Sequence, residues 1–95
     1  MTHTILLVDD EPQLLAMHGQ ILERLGYAVT AMRSSPEALA VFRRAPERFQ
    51  LLVTDQTMPD LTGAELSRAV RQTRPDLPIV LCTGFSEALS PEAAA

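Results

Sequence analysis

The chain has 95 residues, which is room for one small domain and no more. Twelve acidic side chains outnumber eight basic ones, all of them arginine, for a formal net charge of −4. That balance excludes a protein that grips nucleic acid through clustered positive charge, and the absence of lysine excludes any mechanism that draws on a lysine of this chain.

The first element in chain order is the apolar run Ile5-Leu6-Leu7-Val8, of the length and texture of a strand buried on both faces. A helix is predicted over 12–25. Pro12 suits its first turn, Leu14, His18, Ile21 and Leu25 form one stripe widened by Leu15 and Leu22, and Gly26 ends it. Tyr27-Ala28-Val29-Thr30 reads as a weaker strand. Ser35-Pro36-Glu37 reads as a cap, a proline and an acid opening a second helix, with Ala38, Val41, Phe42 and Ala45 inward and Pro46 as its stop. Leu51-Leu52-Val53 is the third strand. A third helix runs from 62 or 63 to 73, turning Leu66, Ala69 and Val70 inward and Arg68, Arg71 and Gln72 outward. After Pro75 and Pro78 comes a fourth strand, Ile79-Val80-Leu81. Ser90-Pro91-Glu92 repeats the opening of the second helix, but the chain stops a turn later, too soon for a stable helix. Strands alternating with helices of this length predict an α/β fold with a parallel sheet covered on both faces.

Three strands end in oxygen ligands: Asp9-Asp10-Glu11, Thr54-Asp55 and Cys82-Thr83-Gly84. Parallel strands point their C-terminal ends to one edge, where α/β proteins bind ligands. Asp9, Asp10 and Asp55 are therefore expected to converge. Packed like charges raise one another's pKa or demand a cation, and oxygen-only ligands suit a hard ion such as Mg2+. Any one of these residues alone is explained equally well by ordinary turn and cap chemistry; it is their agreement at one edge that points to a site. Asp55 is followed by Pro59 and Gly63, which read either as plain loop punctuation or as a loop built beside a nucleophilic carboxylate.

Taken together, the acidic pair Asp9-Asp10, then Asp55, Pro59 four residues on, Gly63 eight residues on, and Thr83 after the fourth strand make the sequence resemble the receiver domain of bacterial two-component response regulators. The segments 54–59 and 81–87 look most like receivers attached to hybrid sensor histidine kinases. The resemblance implies a flavodoxin-like, doubly wound sheet of order 2-1-3-4, a single domain over 1–95, and a phosphoryl group passed to Asp55 from a phosphohistidine of a histidine kinase or phosphotransfer domain. It further implies Mg2+ held by Asp10, Asp55 and the backbone carbonyl of Thr57, with Asp9 acting through water. Thr83 would bond a phosphoryl oxygen, Gly84 would keep the approach open, and Thr57 and Phe85 would tune dephosphorylation.

The resemblance also implies a fifth strand carrying a lysine and a fifth helix. The chain ends at Ala95 before either, so the expectation is a receiver truncated at its C-terminus that couples phosphorylation to output poorly. The fourth strand then becomes a bare edge, and self-association through it is expected. A receiver-like interaction module that is not switched by phosphorylation is the alternative. An aspartyl phosphatase fits worse, because Asp55-Gln56-Thr57 lacks a second acid to act as general acid/base.

No signal peptide is visible at the N-terminus, and no apolar run is long enough to cross a membrane, so membrane attachment is not expected. The single cysteine suits a reducing cytoplasm. Cys82 reads as an inert core thiol and Met17 and Met32 as packing residues. His3 and His18 read as packed or surface histidines, and Arg43-Arg44 and Arg68-Arg71-Arg74 as solvated helix faces.

Overall fold

The computed structural model describes residues 3–82. Strand β1 (Thr4–Val8) leads into helix α1 (Pro12–Arg24), then β2 (Ala28–Met32), α2 (Ser35–Arg44), a 3-10 turn (Pro46–Arg48), β3 (Leu51–Asp55), α3 (Gly63–Thr73) and β4 (Ile79–Cys82). All strands are parallel and lie in the order β2-β1-β3-β4. Val8 pairs with Met32 on one side and Thr54 on the other, and Asp55 pairs with Cys82. The C-terminal ends of β1, β3 and β4 thus share one edge, as the fold class requires. No helix among the described residues is long and apolar enough to cross a membrane.

The main core lies between the sheet and the α2–α3 layer. Leu6 and Val8 of β1 and Leu52 of β3 meet Ala38 and Phe42 of α2, Leu66 and Val70 of α3, and Phe49 and Leu77 from the connections. The rings of Phe42 and Phe49 stack with centroids 6.0 Å apart. Strand residues alternate in direction, so Ile5 and Leu7, equally buried, face the opposite side, where α1 lies.

Helix α1 is rotated from its expected orientation. Leu15 and Gly19 are its buried residues and Leu22 is half-buried, whereas Leu14, Ile21 and Leu25 are 43%, 49% and 68% exposed. Gly19 sits on the buried face beside Leu7, and a Cβ there would meet Leu7 Cδ2 at 3.8 Å, an ordinary contact, so the glycine itself is not required by close approach. A count of apolar side chains does not register a buried face that carries a glycine. Met17, exposed on the same side as Leu14 and Ile21, is likewise not a packing residue, although Met32 does pack against the core.

The other face of the sheet is covered only in part. Leu51 and Val53 are half-buried and Val80 is exposed, contrary to the reading of these strands as buried on both sides. They line an open apolar groove with His18, Ile21, Leu22 and Cys82. Cys82 is therefore a half-buried groove residue rather than a core thiol, and burial together with the charges of Asp55 and Asp9 pushes its thiol pKa up, which keeps it protonated.

Two more local expectations change. The side chain that caps α2 is Ser34, whose hydroxyl accepts from Glu37 N at 3.3 Å; Ser35 is the first helical residue and is buried. Arg74 is not solvated: its Nη1 donates to the carbonyls of Pro46 (2.8 Å) and Phe49 (2.9 Å), tying the end of α3 to the 3-10 turn. The turn announced by Ser90-Pro91-Glu92 lies outside the described residues.

Candidate functional site

Each strand end delivers its acid by local rules. β1 extends one residue further because Asp9 N donates to Met32 O at 3.1 Å. The chain then turns, and Asp9 Oδ1 accepts from Glu11 N at 2.9 Å, which holds a buried carboxylate in one orientation. Glu11 is the N-cap of α1, so the turn that presents Asp9 and Asp10 is closed by the start of a helix. On the neighbouring strand, Asp55 is the last residue of β3, and the next amide, Gln56 N, donates to Cys82 O at 2.8 Å.

As the sequence predicts, Asp9, Asp10 and Asp55 come together. One carboxylate oxygen from each lies within 4.8 Å of the other two, and they are the one such group of potential metal ligands among the described residues. Asp55 has a pKa raised above the ordinary carboxylate value. Burial is the largest cause, then the charge of Asp9, then that of Asp10, with the backbone N–H of Gln56 acting in the opposite sense. Among the described residues no arginine makes an ion pair with any of the three. Three clustered carboxylates without a cationic partner, all oxygen donors, fit a hard divalent cation.

The loop after Asp55 is fastened at several points. Gln56 caps α3 twice: its carbonyl accepts from Gly63 N (3.0 Å) and its side-chain Oε1 from Ala64 N (2.9 Å). Met58 is buried in the core cluster. The Ser35 hydroxyl, from the start of α2, donates to Leu61 O at 2.9 Å, with Pro59 O at 3.4 Å. Thr62 and Glu65 form a capping box: Thr62 Oγ1 accepts from Glu65 N and Glu65 Oε1 accepts from Thr62 N. At Gly63 an added Cβ would collide with the backbone carbonyl of Asp55 and with Leu81 Cδ1, so the glycine is required by close approach.

Thr57 is exposed on this loop. Thr83, Gly84 and Phe85 lie outside the described residues. Sequence reasoning missed Gln56 and Ser35. A glutamine eight residues before a helical amide carries no recognised capping signature, and of two adjacent serines before Pro36 the pattern does not say which one caps.

The sequence matches the family described as the response regulator receiver domain over residues 5–95. It is 39% identical over 89 residues to the response regulator receiver protein CpdR of Brucella abortus, covering 93% of this chain and 72% of CpdR. It is 32% identical to the sensor kinase CckA of the same organism, covering 88% of this chain but only 9% of that much longer protein. Among solved structures it is similar to response regulator protein TrrA of Thermotoga maritima in complex with Mg2+-BeF. The TM-score is 0.84 and the identity 29%, covering 98% of this chain and 79% of TrrA. TrrA in complex with histidine kinase ThkA matches with a TM-score of 0.82 at 29% identity, covering 98% and 78% of the two chains.

Proposed function

Because the chain belongs to the response regulator receiver domain family, we propose that Asp55 is its phosphoacceptor, taking a phosphoryl group from a phosphohistidine of a histidine kinase or phosphotransfer domain. The observation that carries this reading is the convergence of Asp9, Asp10 and Asp55 at one sheet edge, with the pKa of Asp55 raised. The residues that would hold Mg2+ are Asp10, Asp55 and the backbone carbonyl of Thr57, with Asp9 behind them. When bound, a divalent cation supplies charge neutralisation for the phosphoryl oxygens.

The protein's own part is positional. The Asp55 carboxylate sits at the strand end as the attacking oxygen. A new P–O bond forms there while the P–N bond of the donor breaks, leaving its electron pair on the imidazole, which takes up a proton. Gln56 and Gly63 fix the loop that flanks the nucleophile, and Thr83 receives a phosphoryl oxygen through its hydroxyl. On this reading the reaction takes place in the cytoplasm, where Cys82 stays reduced. The similarity to a receiver crystallised with its histidine kinase supports a kinase as the donor. Incubation with a 32P-phosphorylated histidine donor tests the assignment: label moves to the wild type and not to Asp55→Asn.

A second reading concerns partners. β4 is one of the two edge strands among the described residues; Val80 is 48% exposed, Leu81 is 38% exposed, and β4 (Ile79–Cys82) carries no charge to blunt it. The exposed stripe of Leu14, Met17, Ile21 and Leu25 adds apolar surface on α1. These features support self-association through the β4 edge, which sedimentation measures directly.

A further inference from the structure

Resting on the proposed Mg2+ site, the geometry points to Ser35 as a positioning residue for the loop that carries the Thr57 carbonyl. Leu61 N donates to Pro59 O at 2.9 Å, closing a three-residue γ-turn around Asp60. Asp60 has φ of 70°, the one positive φ at a non-glycine among the described residues. A γ-turn of that hand is the rare, strained form, and such a residue persists only where its surroundings over-determine it.

Ser35 supplies that restraint. It is 1% exposed, and its hydroxyl donates to Leu61 O at 2.9 Å with Pro59 O at 3.4 Å, so it bridges the two residues on either side of Asp60. This hydroxyl is not spent on the helix, since Ser34 provides the α2 cap. On the near side of the turn, Met58 is buried in the core next to Pro59. The segment from Met58 to Leu61 is thus held by packing at Met58 and by the Ser35 hydroxyl across the turn, within the frame that Gln56 and Thr62 set at the start of α3. Thr57 lies between Asp55 and Met58, directly before that segment. Removing the hydroxyl lets the turn relax toward a negative φ at Asp60 and shifts the chain that carries the Thr57 carbonyl. Relief of the strain at Asp60 should remove the need for Ser35.

The test compares wild type, Ser35→Ala, Asp60→Gly and the double variant S35A/D60G. Mg2+ is titrated against each by NMR, and the HN–Hα coupling and backbone 13C shifts of residue 60 are read in the metal-free proteins. Glycine adopts a positive φ without cost, so D60G and S35A/D60G should both bind Mg2+ like the wild type. S35A should bind about tenfold more weakly, with residue 60 shifted from its wild-type backbone signature. Should S35A lose its fold, the double variant carries the comparison, and a folded double variant with weakened Mg2+ binding overturns the proposal. Equal Mg2+ binding by folded S35A and wild type also overturns it. A wild type that binds no Mg2+ overturns the metal-site reading, and the positioning role falls with it, whatever residue 60 does.

Discussion

Asp9 and Asp55 end adjacent parallel strands with their carboxylates facing one another, and the charge of Asp9 is second only to burial in raising the Asp55 pKa. In the metal-free protein burial first, and the charge of Asp9 second, make the ionised form of Asp55 unfavourable. With its folded-state pKa raised, Asp55 binds its proton more tightly in the folded chain than in the unfolded one. Its ionisation therefore lowers stability as pH rises through the folded value, and protonation restores that stability as pH falls through it.

Asp55→Asn is accordingly expected to raise the melting temperature by a few degrees at neutral pH, with the gain vanishing once the medium is acid enough to protonate Asp55 in both states. Mg2+ at about a hundredfold above its Kd should stabilise the wild type by about 2.7 kcal/mol and the variant far less. Thermal melts across pH, with and without Mg2+, check both statements. A variant that melts lower than wild type at neutral pH would show that the cluster is not under repulsion.

Gly63→Ala runs against helix propensity. Alanine is the better helix former, yet its Cβ would strike the Asp55 carbonyl and Leu81 Cδ1. The predicted outcome is a loss of about 1–3 kcal/mol from overpacking, read as a lower urea midpoint. Because the collision involves the backbone of Asp55 itself, the folded fraction should also bind Mg2+ more weakly.

Arg74→Ala should cost about 2 kcal/mol, because it removes charge-assisted hydrogen bonds to two carbonyls that hold the 3-10 turn against α3. Asp76→Ala is the contrasting case. Its ion pair with Arg74 spans 3.5 Å with the Asp76 side chain 80% exposed, so chemical denaturation should show almost no change.

Val80→Lys places a charge in the middle of the β4 edge without touching the acid cluster. If that edge mediates self-association, sedimentation velocity will show concentration-dependent growth for the wild type and a monomer for the variant. Identical profiles would remove the edge from consideration.

Most of the architecture was legible from local signals. Gly26 and Thr62 mark helix ends by backbone and cap chemistry, and both lie where expected. The acid cluster was legible because parallel topology converts three separate strand ends into one edge. What was not legible depends on tertiary approach. Leu14, Ile21 and Leu25 form as good a stripe as Leu15, Gly19 and Leu22; how α1 packs on the sheet, with Gly19 beside Leu7, decides between them. Ser34 and Ser35 are equivalent caps on paper, and the choice depends on a loop 24–26 residues further along the chain that takes the Ser35 hydroxyl. Arg74 reads as solvated until the carbonyls of Pro46 and Phe49 are brought beneath it.

The central claim is that Asp55 is a phosphoacceptor served by Asp9 and Asp10. Its most direct test is the intact mass of the protein after incubation with acetyl phosphate, with and without Mg2+. One phosphoryl adduct is predicted on the wild type with Mg2+, little without it, none on Asp55→Asn, and a much slower appearance on Asp10→Asn. No adduct on the wild type, or an equal adduct on Asp55→Asn, would contradict the account.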